Sequence, residues 1–361
     1  MSLAESMGRN GRLQATLHRL QELDYDDSLV TRLGEIILTN EERALYRINP
    51  RFLAGQLSGE ERTAMGLLIA ATAERLFRLG WRVNCPACGG YGDVGGSLAD
   101  VDSEAQCHIC GHRFQTHLDD EITVHLTINE RFRSISNQAK EDYAFRNEVD
   151  RRLGLVTAIS LLQAPNFRKL IDDQVLPEGQ SLGVKRLAVF FSDLRRSTAF
   201  YHKLGDAEAY HWVNEHFKVM FAAVEKHGGT AVKTIGDGVM GIFTSPSAAL
   251  LGISEAMAGI NRLNRQANLS GNDQLALKVG LHYGPCIVVT LNGRLDYFGE
   301  TVNIAARLGG LSSGGDVIIS QDVLDEEDVT ELMATMGEVR PIAARLRGLP
   351  GHYDLHRILI K

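Results

Sequence analysis

The chain has 361 residues, 44% of them hydrophobic, with a formal net charge of −7. It is long enough for two or three domains and apolar enough to bury a sizeable core, which excludes a disordered chain. The acidic balance argues against generic nucleic-acid binding, no apolar run reaches the roughly eighteen residues that span a bilayer, and no basic-then-apolar leader opens the chain, so a cytoplasmic protein is expected, with no nucleic-acid partner and no membrane span.

Residues 1–84 read as a helical N-terminal region. Ser58-x-x-Glu61 has the form of a capping box, opening a helix to about Phe77 with Met65, Leu68, Ile69 and Leu76 on one face. Residues 85–130 hold Cys85-Pro-Ala-Cys88 and Cys107-His-Ile-Cys110, with eighteen residues between the pairs. Two such knuckles each supply two thiolates to one tetrahedral ion. Cys85, Cys88, Cys107 and Cys110 are therefore expected to bind a structural Zn2+ in a closed site with no position open for chemistry. Gly89 and Gly111 relieve the knuckle turns. His108 and His112 read as surface residues or as replacement ligands. The alternation over Glu121–Ile128 predicts a strand leaving this zinc ribbon, with His125 on its solvent face. Residues 131–184 read as a helical linker that closes with Leu-Pro-Glu-Gly-Gln-Ser, the expected domain boundary.

From 185 the pattern changes. An apolar strand over 186–192 ends at Asp193, and an amphipathic helix over about 206–227 ends at Gly228-Gly229. Lys233-Thr-Ile-Gly-Asp237-Gly lies between two apolar runs and predicts a hairpin turning at Asp237-Gly238. Ser245-Pro246 is an N-cap followed by a first-turn proline, which opens a second helix. Strands at 275–282 and 286–291, a short strand near Asp296, a helix over 301–308, a strand at 316–320, a helix near 321–336 and two closing strands complete the chain. The order β-α-β-β-α-β with extensions predicts an α+β, ferredoxin-like domain over 185–361, its sheet covered by helices on one side.

Asp193 and Asp237 stand at the ends of neighbouring strands, where two carboxylates can hold a pair of divalent ions and clamp a phosphoryl group. Ser197 and Thr198, in the turn after Asp193, either cap the next helix or meet a phosphate. Asn303 and Arg307, at i and i+4, share one helix face. That face is either simply solvated or suited to a ribose oxygen and a transferring phosphoryl group. Arg347 adds a cation beside a Gly/Pro loop.

Together these motifs resemble the catalytic domain of class III adenylate/guanylate cyclases: Phe-Ser-Asp193-Leu-Arg-Arg-Ser-Thr, Lys233-x-x-Gly-Asp237, Asp296-x-x-Gly-x-x-Val-Asn303-x-x-x-Arg307 and Leu-Arg347-Gly. The resemblance implies that Asp193 and Asp237 bind two Mg2+ or Mn2+ ions per site and that Lys233 and Asp296 read the purine. It implies that Asn303 and Arg307 stabilise the transition state, and that Arg347 holds the triphosphate where the family usually has lysine, with Ser197 and Thr198 in the substrate-binding turn. Lysine only donates and aspartate only accepts, which matches adenine and mismatches guanine, so ATP is the expected substrate and 3′,5′-cyclic AMP with pyrophosphate the products. In the family the metal acids and the purine-reading and transition-state residues of one site come from different protomers. A chain carrying the whole set is thus expected to form a head-to-tail homodimer. Arg196 stands where the family usually has glycine, and it is strained there if that position needs positive φ. This departure keeps a silent nucleotide-sensing dimer as an alternative, beside a guanylate cyclase. The N-terminal half, through Asn49-Pro-Arg-Phe-Leu-Ala, Trp81 and the cysteine pairs, resembles the zinc-ribbon region preceding some bacterial class III cyclase domains, which implies a regulatory or dimerising role.

Overall fold

The computed structural model describes residues 3–360 apart from 24, 58, 196–201, 203–204, 270 and 272–273. Its contacts divide the chain into two units, Met1–Gly183 with Val289–Leu295, and Val184–Val288 with Asp296–Lys361. No described helix is long and apolar enough to cross a membrane.

The first unit opens with helices α1 (Leu3–Gln21), α2 (Asp27–Thr39), α3 (Pro50–Ala54) and α4 (Glu61–Ala73). Helix α4 stops before the expected Phe77. Arg75 adopts a left-handed φ of 59°, Leu76 N–H donates to the Ala71 carbonyl, and Arg75 N–H donates to that of Thr72. That is a Schellman ending built without the usual glycine. Ser58, the expected cap, lies outside the described residues, and Glu60 takes the N-cap position. Strands β1 (Phe77–Asn84), β2 (Tyr91–Gly95), β3 (Glu104–Gln106), β4 (Arg113–Gln115) and β5 (Ile122–Ile128) follow. They pair antiparallel as β2-β1-β5 and β3-β4.

All seven residues of β5 are buried, which corrects the solvent-face reading of His125. Its ring lies over Gly80, where an added Cβ would come within 2.2 Å of Cε1. His125 Nε2 is 3.0 Å from Asp93 Oδ1, and Asp93 also pairs with Arg47 at 2.6 Å. Burial pushes the His125 pKa down. Short helices α5 (Asn137–Glu141), α6 (Tyr143–Leu153), α7 (Ala158–Leu162) and α8 (Phe167–Leu170) complete this unit.

Mostly within the second unit, β6 (Leu182–Leu194), α9 (Asp206–Lys226), β7 (Thr230–Ile235), β8 (Gly238–Phe243), α10 (Pro246–Gln266) and β9 (Leu277–Leu291) form the β-α-β-β-α-β core. Then come β10 (Arg294–Phe298), α11 (Glu300–Gly309), β11 (Asp316–Ser320), α12 (Gln321–Leu324), α13 (Glu327–Met336), β12 (Gly337–Ala344) and β13 (Tyr353–Ile360). The sheet runs β12-β13-β11-β9-β6-β8-β7, with β10 paired to β9 off this path. Its last four members are in ferredoxin-like order, and the fold is α+β. The two strands expected at 275–282 and 286–291 are one, and the helix expected at 321–336 breaks at Asp325-Glu326.

Val213, Met220 and Val224 of α9 pack with Ile253, Met257 and Ile260 of α10 over Phe190, Val239 and Phe243 of the sheet. Helix α11 covers the opposite face, which corrects the one-sided layering. Val317 and Ile319 join the α9–α10 core, while the intervening Ile318 packs with Ile304 and Leu308 of α11. Gly280 on β9 lets α11 approach closely, since a Cβ there would lie 2.2 Å from the Gly309 nitrogen and 2.5 Å from the Ala305 carbonyl oxygen.

Candidate active site

The β7–β8 hairpin sets most of the site. Ile235 pairs with Gly238, so the two-residue turn is Gly236-Asp237 rather than the expected Asp237-Gly238. Gly236 has φ +61°, the positive value that a II′ turn requires at its first central residue. Gly238 begins β8 against β6, where a Cβ would come within 2.4 Å of the Ser192 carbonyl oxygen. Val239 N–H donates to Ser192 Oγ at 3.2 Å. This contact carries Asp237 to the end of β6, where its Oδ2 accepts from Leu194 N–H at 3.3 Å.

Asp193 and Asp237 therefore face one another electrostatically. The Asp193 residue keeps an exposed surface, yet partial desolvation of its carboxyl raises its pKa, and the charge of Asp237 raises it further, against a smaller opposing effect of Lys278. Two carboxylates in this relation form a site that a cation would relieve.

On the other side of the hairpin, Lys233 Nζ lies 2.5 Å from Asp296 Oδ2. The register shifts between Ala231 and Lys233, a bulge of the kind that re-aims side chains. Asp296 is 8% exposed, and its Oδ1 accepts from Tyr297 N–H at 2.9 Å. The Phe298 ring centroid is 5.9 Å from the Lys233 ammonium. Asn303 and Arg307 are exposed on α11, and Arg347 is exposed between β12 and β13. Among the described residues, neither carboxylate pair nor ion pair has any of these three as a hydrogen-bonding partner. Arg196, Ser197 and Thr198 lie outside the described residues.

Sequence reading missed Ser192, which fastens the hairpin to β6. It also missed Asn292-Gly293, whose φ values of 50° and 72° make the tight turn that presents β10 and Asp296. An Asn-Gly pair is the sequence signal that could have found that turn.

The four clustered cysteines form a second candidate centre. Their sulfurs all lie within 4.8 Å of one another, with Cys85–Cys110 at 3.7 Å and Cys88–Cys107 at 3.6 Å. Tetrahedral thiolates about 2.3 Å from a metal would be roughly 3.8 Å apart, so the set fits a four-sulfur ion site. Gly89 and Gly111 have φ of 69° and 75° at the knuckle turns. Gly90 N–H points at Cys88 Sγ and Ile109 N–H at Cys107 Sγ, each at 3.4 Å. Backbone donors from Cys110 and Ile109 lower the Cys107 pKa to about 6. His108 and His112 are not in the cluster, and His112 stacks on Phe114.

Residues 180–339 match the family described as the adenylate and guanylate cyclase catalytic domain, and residues 12–190 match a family of unknown function, DUF5939. An adenylate cyclase of Mycosarcoma maydis is 28% identical over 183 residues, 45% of this chain and 7% of that protein. One from Anabaena cylindrica is 26% identical over 153 residues, 39% of this chain and 30% of that protein. The chain thus spans less than a third of either relative's length. The crystal structure of an adenylyl cyclase from P. aeruginosa is 23% identical with a TM-score of 0.43, covering 50% of this chain and 97% of that one. The guanylate cyclase domain from Catenaria anguillulae, solved with GTP, is 20% identical with a TM-score of 0.41, covering 50% and 98%.

The raised pKa of Asp193 has a direction that can be measured. Its stabilising contribution is present below the ordinary carboxylate range and is lost as pH rises through the raised folded value. With magnesium and manganese omitted, Asp193→Asn should raise the thermal midpoint at pH 7, and the gain should disappear as the pH is lowered to where Asp193 is protonated in both states. A lower midpoint at pH 7 would contradict the electrostatic account.

Proposed function

We propose, from the match of residues 180–339 to the adenylate and guanylate cyclase catalytic-domain family, that the chain converts ATP to 3′,5′-cyclic AMP and pyrophosphate at sites shared between two copies. The observation that carries the choice of ATP is the Lys233–Asp296 pair at 2.5 Å. A donor-only and an acceptor-only group stand side by side, and adenine offers an acceptor at N1 beside a donor amine. Guanine reverses both. Each mismatch in a closed pocket costs about 1–3 kcal/mol, so two give discrimination of a few orders of magnitude. The names of the Mycosarcoma maydis and Anabaena cylindrica relatives agree with this reading.

Asp193 and Asp237 would hold the Mg2+ or Mn2+ ions, two per site, because their mutual repulsion fits a cation-binding pair. Ions bound there supply positive charge beside the ribose 3′-oxygen and the phosphates. Asn303 and Arg307 donate hydrogen bonds to the ribose oxygen and the α-phosphoryl group as charge develops. Arg347 binds the triphosphate, with Ser197 and Thr198 in the turn after Asp193. Asn303 and Arg307 are exposed on α11 and so open to a second copy, which fits a head-to-tail homodimer. The cysteine cluster holds a structural Zn2+, its thiols kept reduced in the cytoplasm, and the region around it regulates or dimerises.

Cyclic product measured from purified protein with Mn2+ should appear from ATP, with kcat/KM at least about a hundredfold above GTP. Preference for GTP would overturn the purine assignment, and no product from either nucleotide would favour the silent sensing dimer. Metal analysis should find about one zinc per chain, falling well below that in Cys107→Ser with a lower thermal midpoint. Full-length protein with reduced thiols and no zinc would remove the ribbon assignment.

A further inference from the structure

Among the described residues, strand β10 pairs with one neighbour, β9, and so is held in the sheet from one side. It nonetheless carries Asp296, whose carboxylate must meet Lys233 within a few tenths of an ångström. Something besides the sheet has to fix it. The hairpin tip that leads into Asp296, Val289–Leu295, belongs by its contacts to the first unit. Two hydrogen bonds within that unit hold the tip. Leu176 N–H donates to Thr290 Oγ1 at 2.7 Å, and Arg168 Nη2 donates to the Leu295 carbonyl at 2.5 Å.

The second bond acts directly on Asp296. The Leu295 carbonyl and the Asp296 nitrogen and Cα lie in one rigid peptide plane, so fixing that oxygen fixes where the Asp296 side chain starts. A guanidinium on a carbonyl is also a charge-assisted bond, stronger than a neutral one. The segment that supplies both donors is itself anchored. Gln174 Oε1 accepts from Trp81 Nε1 at 2.8 Å and from Leu98 N–H at 2.9 Å, while its Nε2 donates to the Gly96 carbonyl at 3.1 Å. Trp81 is fully buried in β1 and Gly96 and Leu98 follow β2, so the segment 168–176 is fastened to the sheet beside the cysteine knuckles.

We propose that Arg168 and Thr290 are positioning residues for purine selection, holding the turn and the Leu295–Asp296 peptide from which the Asp296 carboxylate reaches Lys233. The inference rests on the reading of Asp296 as a purine contact. It makes these two residues act on base recognition rather than on the chemical step.

The test uses the full chain with Mn2+ and both nucleotides. Arg168→Ala should raise the KM for ATP and lower the ATP-over-GTP ratio of kcat/KM, each about tenfold, with kcat for ATP within about twofold. Arg168→Lys should recover part of both changes, and Thr290→Val should shift both in the same direction. Zinc content and the near-ultraviolet spectrum should match the parent. A folded Arg168→Ala protein with KM and nucleotide ratio within twofold of the parent would overturn the proposal, as would equal loss of kcat on both nucleotides. Thr290→Val decides by the same criteria if Arg168→Ala does not fold. If the parent itself turns over neither nucleotide, the cyclase reading fails instead.

Discussion

The second unit depends on one close backbone approach. Gly238 meets the Ser192 carbonyl at a distance that no side chain tolerates, and Ser192 Oγ then takes the Val239 N–H. That contact brings the tip of the β7–β8 hairpin to the end of β6. It sets Asp237 beside Asp193 and leaves Lys233, four residues back, to reach Asp296. One hairpin thus serves two clusters of opposite character. The first is a pair of like charges whose repulsion helps to raise the Asp193 pKa. The second is an ion pair satisfied within the chain.

The layering of the unit gives each cluster a firm base. Helices α9 and α10 bury one face of the sheet, and α11 lies on the other through the bare backbone of Gly280. Ile304 and Leu308 fasten α11 inward, so Asn303 and Arg307, one residue before each, are turned outward on a rigid helix.

Much of this was legible in the sequence because the signals were local. Ser245-Pro246 named a helix start, the two cysteine pairs named a cluster, and the alternation of apolar runs named the order of the core. The errors came where tertiary contacts outweigh local pattern. Arg75 takes a left-handed conformation that glycine usually takes, so nothing in the sequence marked the end of α4. Strand β5 alternates in polarity yet is buried on both faces, and the slot over Gly80 with the Asp93 carboxylate makes room for His125 there. The bond from Arg168 to Leu295 joins residues far apart in the chain, and no window of sequence contains both partners.

The central claim is that one active site takes its parts from two chains, with Asp193 and Asp237 on one and Lys233, Asp296, Asn303 and Arg307 on the other. Cyclic AMP formation by a mixture of Asp237→Ala and Asn303→Ala chains tests it most directly. Each variant alone should be nearly inactive, and mixing should restore up to about a quarter of the parent activity, because random pairing makes half of the dimers mixed and each mixed dimer keeps one intact site. Two inactive variants that stay inactive when mixed, in a preparation shown to exchange subunits, would contradict the shared site.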